Sequence, residues 1–366
     1  MKICCVFNYN PLYRLPIYQA MSEHFDCDFY FGDSVFEPLK QFAPKELKGF
    51  KKYLHAKRWI KGYILYSGIK PIFSRKYTHY VLTGDISYIV NWLILLYAFI
   101  TRKKVLCWCH GLKGVKMRKI IRWEQLLFYN SMDGILLYNN YNVQFMRNVG
   151  VKSEIHVIHN SLNTPIQSRL FENMQHSDVY ANHFGNNDPV VIYIGRIQKR
   201  MKVQYLIEAM EQLKKQGKKV NAVIVGAYMD GVDVEQTVHD KHMDSQVWFY
   251  GPSFDEKVNS ELLYNACVCV APGTVGLTAI HALSYGTPCI THDNHSATGP
   301  EFEAIVPGKT GDFFRENDIS DLAGKISKWI DLTPQAREVV RKQCRAEVER
   351  NWSISSQIKV LKKVLG

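Results

Sequence analysis

Short apolar runs alternate along this chain with longer stretches of helical period, and the whole alternation is played through twice. In the first pass residues 2–8, 28–31, 77–82, 105–109, 134–138 and 155–158 read as strands, and 16–23, 87–100, 117–129 and 140–149 as helices. After a polar, weakly periodic stretch at 164–188, strands follow at 190–194, 220–225, 247–250, 266–270 and 288–291. Helices accompany them at 203–216, 261–265, 277–285 and 319–330, with helical material to Gly366. Strands that alternate with helices pair in parallel through crossovers, and both faces of their sheet are covered. The pattern predicts an α/β protein of two doubly wound, Rossmann-like domains facing a central cleft. The first domain covers 1–165, a linker 166–188, the second domain 189–345, and a helical tail, 346–366, is placed to pack back on the first domain. A length of 366 residues suits two domains.

Composition removes other classes. With 46% hydrophobic and 22% charged residues, mean hydropathy −0.19 and no low-complexity tract, the chain is neither disordered nor fibrous. The longest apolar run, 86–100, is broken by Ser87 and Asn91 and falls short of the roughly 18–20 residues that span a bilayer. It reads as a buried helix. The apolar stretch after Lys2 stops at Asn8, too soon for a signal peptide. Nine cysteines, mostly inside apolar runs and without paired CxxC elements, read as reduced small hydrophobes, not as zinc ligands or disulfides. The expected compartment is the cytoplasm.

The net charge of +12 implies an acidic partner. Its distribution is uneven: residues 1–165 hold 23 Lys/Arg against 10 Asp/Glu, whereas 166–366 hold 23 against 24. Residues 40–76 alone carry eleven cationic side chains and one acid, Glu46. From 45 to 76 the cations are interleaved with Phe50, Tyr53, Trp59, Tyr63, Tyr66 and Phe73, the mixture of a segment that lies on an anionic membrane surface. No RNP, zinc-finger or helix-turn-helix signature accompanies it, so nucleic acid is not the expected partner.

Ligands of doubly wound sheets bind beyond the carboxyl ends of the strands. There, the strand at 190–194 runs into Gly195-Arg196-Ile197-Gln198-Lys199-Arg200-Met201-Lys202, whose cations and glycine suit a diphosphate. Farther on, Gly273-Thr274-Val275-Gly276 opens the helix that begins Leu277-Thr278, so helix-start amides face the same anion.

These residues also carry a family resemblance. Tyr193-Ile194-Gly195-Arg196, Val223-Ile224-Val225-Gly226, Val247-Trp248-Phe249-Tyr250-Gly251, Gly276-Leu277 with His281-Ala282-Leu283, Gly286-Thr287-Pro288 and Pro300-Glu301 with Gly308-Lys309-Thr310-Gly311 resemble ordered motifs of one enzyme family. It is that of retaining, nucleotide-sugar-dependent glycosyltransferases of the GT-B fold, family four, of the bacterial polysaccharide or glycoconjugate type. Pro11-Leu12-Tyr13-Arg14-Leu15-Pro16 and Trp108-Cys109-His110-Gly111 match more loosely. The resemblance implies a donor site at Gly195, Lys199, Arg200, Gly226, Gly273, Thr274, Val275, Gly276, Leu277, Thr278, His281 and Glu301. It implies catalytic roles for Arg196, Lys202 and His110, and an acceptor site at Asn10, Tyr13, Arg14 and Lys113. No cofactor or metal is expected; Asp26-Cys27-Asp28 has the spacing of a metal-binding DxD but starts a strand far from the diphosphate cradle.

Two departures stand out. Where the family carries a lysine this chain has Met201, flanked by Arg200 and Lys202, either of which could replace it. The two family glutamates fall on Gly273 and His281. An imidazole accepts one hydrogen bond where a carboxylate accepts several, which favours a donor whose nucleoside is held differently, a deoxyribose one for instance. The expected activity is transfer of a sugar from a nucleotide-diphosphate donor to a glycan or lipid-linked acceptor, at the cytoplasmic face of the cell membrane. The alternatives are a non-catalytic sugar- or nucleotide-binding subunit and a sugar-nucleotide epimerase.

Overall fold

The computed structural model describes residues 1–33, 40–112 and 119–366. The chain forms two compact units, Met1–Asn163 with Ile354–Gly366, and Thr164–Ser353.

The first unit contains β1 (Lys2–Phe7), α1 (Leu15–His24), β2 (Asp26–Gly32), β3 (Phe50–Arg58), β4 (Ile64–Ser67), β5 (His79–Thr83), α2 (Ile89–Thr101), β6 (Lys104–Cys109), α3 (Lys119–Asn130), β7 (Gly134–Leu137), α4 (Tyr141–Asn148) and β8 (Glu154–Val157). Its sheet runs β4-β3-β2-β1-β5-β6-β7-β8, parallel except for β4, which pairs antiparallel with β3. β1 is central, and its side chains alternate between two cores. Ile3, Cys5 and Phe7 pack with Leu15, Tyr18 and Met21 of α1. Cys4 and Val6 pack with Tyr77, Tyr80 and Ile94 on the opposite face. A strand covered on both faces reads as an unbroken apolar run.

The second unit contains α5 (Thr164–Glu172), α6 (Val179–Phe184), β9 (Val190–Ile194), α7 (Gln204–Lys215), β10 (Asn221–Val225), α8 (Val234–Asp240), β11 (Val247–Gly251), α9 (Glu256–Asn265), β12 (Val268–Val270), α10 (Leu277–Ser284), β13 (Cys289–His292), β14 (Gly311–Phe314), α11 (Ile319–Ile330) and α12 (Pro334–Asn351). Its sheet is parallel throughout, in the order β11-β10-β9-β12-β13-β14. The last helix, α13 (Ile354–Leu365), belongs to the first unit. It buries Ile354, Ile358, Leu361 and Leu365 in the α1-side core. Its Gln357 accepts from the Ser161 hydroxyl at 2.6 Å and donates to the His159 carbonyl at 2.9 Å.

In both sheets the chain winds outward first on one side of the central strand and then on the other. The order reverses between β1 and β5, and again between β9 and β12. At such a switch point the connections leave in opposite directions, and a crevice opens beyond the carboxyl ends.

Several expectations need correction. The stretch at 166–188 is built of α5 and α6, which are anchored on the second unit. Gln167 donates to Glu256 at 3.0 Å, Tyr180 to the Leu262 carbonyl at 2.6 Å, and Arg345 to the Ser168 hydroxyl at 2.9 Å. The second unit extends past 345, because α12 runs through that point and spends Arg341 and Arg345 on the Tyr285 and Ser284 carbonyls at the end of α10. The basic stretch at 45–76, for which no secondary structure is expected from the sequence, contains the strand pair β3 and β4 at a sheet edge, with Lys51, Lys57 and Arg58 on exposed positions. The helix read as buried, α2, buries Val90, Ile94, Leu95 and Ala98 but exposes Leu93, Leu96, Phe99 and Ile100. Among the described residues no helix is long and apolar enough to cross a membrane.

The Asp26-Cys27-Asp28 carboxylates are taken by lysines. Asp26 pairs with Lys2 at 2.5 Å. Asp28, 1% exposed, meets Lys76 at 2.7 Å, Lys2 at 2.9 Å and Lys51 at 3.2 Å, and accepts from the Tyr77 hydroxyl at 2.7 Å. Burial alone would raise the Asp28 pKa, but the bonds from Lys76, Lys2 and Tyr77 outweigh it and hold the carboxyl well below its ordinary range. A depressed carboxyl stabilises the fold above its unfolded pKa, and that contribution is lost as pH falls through the folded value. Asp28→Asn is expected to lower stability in urea unfolding at pH 7 by about 1.5–3 kcal/mol, the worth of hydrogen bonds to a charged group. The gap to the parent should close as the pH drops below about 4; a gap independent of pH would remove the charge from the explanation.

Candidate functional site

In the second unit the crevice is walled by the turn after β9 and the loop before α10. Gly226, at the end of β10, lies against the Gly195 carbonyl so closely that a Cβ there would collide with its oxygen. The Ile197 amide donates to the Ala227 carbonyl at 2.8 Å and the Lys199 amide to the Asp230 carboxylate at 2.9 Å, which fixes the turn from below. The Gly273 amide donates to the Met201 carbonyl at 3.0 Å, and the Thr278 hydroxyl to the Ile194 carbonyl at 3.1 Å. Turn and loop are therefore one piece. The amides of Gly276, Leu277 and Thr278 open the first turn of α10, where no carbonyl of the helix can reach them, and the helix dipole adds positive potential there. Glu301 is buried with a carboxylate oxygen 3.9 Å from where a Cβ on Gly276 would stand.

The predicted residues separate by what already occupies them. The Arg196 side chain is half-buried and its guanidinium bonds no described residue, so it is open to an anion. Lys199 and Arg200 are exposed. The Lys202 ammonium donates to Asn317 at 2.7 Å and lies 3.4 Å from Glu316, so part of its bonding capacity is engaged within the fold. The amides of Gly273 and Val275, the latter bonded to the Thr298 hydroxyl at 2.9 Å, are spent, as are the hydroxyls of Thr274 and Thr278. A side chain at 273 would run into the Arg200 carbonyl, so the backbone occupies the place where the resemblance puts a glutamate.

His281 turns its Nε2 to Glu256 at 3.1 Å, which leaves Nδ1 for a ligand. Glu256 also accepts from the Tyr285 hydroxyl at 2.6 Å and from Gln167. Burial would raise its pKa, but the bonds from His281, Tyr285 and Gln167 hold it down at about 2. Glu256 was not read from the sequence. It is the first residue of α9, and the sequence reading began that helix only at 261; its capping Asp255 was the available signal.

The first unit has a cavity of about 320 Å³ at the carboxyl ends of β1, β5 and β6. It brings Tyr13, Arg14 and His110 together with Asp85, Trp108 and Tyr138. His110 is exposed, its ring 4.6 Å from that of Tyr138. Arg14 donates through Nη1 to the Tyr138 hydroxyl at 2.6 Å. Asn10 is buried, and its amide nitrogen donates to the Phe42 carbonyl at 2.8 Å and the Tyr53 hydroxyl at 3.1 Å, which braces the loop. Lys113 lies outside the described residues.

Residues 178–346 match the sequence family described as glycosyl transferases group 1. A stretch of 177 residues is 24% identical to an alpha-D-kanosaminyltransferase of Streptomyces kanamyceticus, covering 47% of this chain and 44% of that protein, so the match spans less than half of that relative. The fold is that of GT-B glycosyltransferases. The Anabaena protein Alr3699/HepE, solved in complex with UDP, superposes with a TM-score of 0.73 at 14% identity over 100% of this chain and 99% of that one. The sucrose-phosphate synthase of Thermosynechococcus elongatus does so with 0.66 at 17% identity, over 100% and 99%.

A collision at Gly273 and an ordinary contact at Gly276 give a paired expectation. Gly273→Ala should cost about 1–3 kcal/mol in urea unfolding, the usual cost of overpacking, while Gly276→Ala, which meets no collision, should cost less. Equal effects would show that the turn does not seat on Gly273.

Proposed function

We propose that this protein is a retaining glycosyltransferase that moves a sugar from a nucleoside-diphosphate donor, held by the second unit, to a hydroxyl of a glycan or lipid-linked acceptor, held by the first. The observation that carries this reading is the turn at 195–202 fastened to the start of α10 at the switch point of the second sheet. It lies within the segment that matches glycosyl transferases group 1. An open guanidinium and helix-start amides are complementary to a diphosphate.

In this mechanism Arg196 and the amides of Gly276, Leu277 and Thr278 stabilise the charge that builds on the diphosphate as its bond to the sugar breaks. The departing phosphate oxygen takes the proton of the acceptor hydroxyl as that oxygen bonds to the anomeric carbon on the same face, which retains configuration. His110 steadies the sugar. No cofactor or metal ion is invoked. The second reading, a non-catalytic binding subunit, is favoured by Gly273 and Met201, which offer neither the carboxylate nor the ammonium that the resemblance calls for.

The test is release of nucleoside diphosphate from a panel of nucleotide sugars, with and without a membrane lipid extract. Release that requires the extract is expected, and Arg196→Ala should lose at least about tenfold, the worth of one lost charge-assisted contact. No release with any donor would favour the binding subunit, and unchanged turnover in Arg196→Ala would remove Arg196 from the mechanism.

The reading also places the protein at the cytoplasmic face of the membrane, peripherally, through the β3–β4 edge. Neutralising Lys48, Lys52 and Lys57 should reduce binding to vesicles containing anionic lipid and leave binding to neutral vesicles unchanged; no change with either kind would count against that surface.

A further inference from the structure

Among the described residues, the first unit encloses a cation that lacks an anion. The central carbon of the Arg14 guanidinium lies 4.3 Å from the ring centre of Trp108, 5.3 Å from that of Tyr18 and 5.7 Å from that of Tyr138. Nη1 is used by the Tyr138 hydroxyl. Nε and Nη2 are buried and have no hydrogen-bond partner among the described residues. Asp85 lines the same cavity, but its carboxylate accepts from the Ser87 amide and hydroxyl, at 2.9 and 2.7 Å, and makes no pair with Arg14. A buried guanidinium without a carboxylate is costly to the fold. Cation–π contact with four rings offsets part of that cost but satisfies neither free N–H group.

The position of the unspent groups carries the argument. Nε–H and the adjacent Nη2–H form the edge of a guanidinium that matches two oxygens of one carboxylate or phosphate. Arg14 lines the cavity of about 320 Å³, a volume within the range of small-molecule sites.

We propose that this cavity is a subsite for an acidic group on the acceptor, an oxyanion with two coplanar oxygens that Arg14, by a small turn of its guanidinium, meets with its unpaired Nε–Nη2 edge. The group is the carboxylate of a sugar acid or the phosphate of a sugar or lipid ester. The inference rests on the reading of the first unit as the acceptor side, and it adds that the acceptor is an anion.

The test is binding to the full chain, followed by saturation-transfer NMR and calorimetry, with glucuronate, glycerol 3-phosphate and glucose as probes and UDP as a separate probe of the second unit. At least one acid is expected to bind tenfold or more tightly than glucose, and the stronger of the two identifies the source of the oxyanion. Arg14→Gln and Arg14→Lys should each lose at least tenfold for that acid, the lysine variant because an ammonium has no fork, with UDP binding unchanged. Glucose binding as well as both acids, no binding of either acid, or acid binding that survives Arg14→Gln would each overturn the proposal. The comparison of acids with glucose uses the parent protein and stands even where a variant fails to fold. Acid binding without nucleoside diphosphate release from any donor would overturn the transferase and leave the anion subsite; release without acid binding would do the reverse.

Discussion

Parallel pairing is the constraint from which the rest follows. A strand that pairs in parallel cannot turn back on itself; it must cross over, and every strand of the sheet then ends on the same rim. In both units the winding reverses beside the central strand, so one gap in that rim is left uncovered by crossovers. The turn after β9 and the loop before α10 meet at one such gap. The loops after β1, β5 and β6 meet at the other. The cradle and the cavity are consequences of topology before they are consequences of any particular side chain.

What could be read from the sequence follows the same division. Strands covered on both faces, such as β1 and β9, have no polar alternation and announce themselves as apolar runs. The glycines at 195, 226 and 273 were visible because close backbone approach needs them. β3 and β4 were not, because an edge strand with exposed lysines carries the composition of a surface segment. The helices at 164–188 were obscured by polar faces, and their anchors, Gln167 and Tyr180, bond to residues far along the chain. The same distance hid Glu256 behind His281 and hid the commitment of Asn10 to Phe42 and Tyr53. A sequence shows which residues could bind a ligand; it does not show which are already occupied.

Occupation also changes the meaning of the departures at 201, 273 and 281. The loss of a side chain at 273 is matched by the Arg200–Met201 backbone, which fills the space. The histidine at 281 comes with a neighbouring carboxylate, so negative charge is still held beside that position, one residue removed.

The placement of α13 bears on how the molecule is made. The core on one face of the first sheet includes Ile354, Ile358, Leu361 and Leu365, yet every other element of that unit precedes Thr164. During synthesis the first unit must therefore wait, one apolar face covered by α1 but not yet by α13, until the whole of the second unit has left the ribosome. The second unit, continuous from Thr164 to Ser353, is under no such delay. The unit begun first is completed last, and for that interval the part of its core that α13 covers stays open to association.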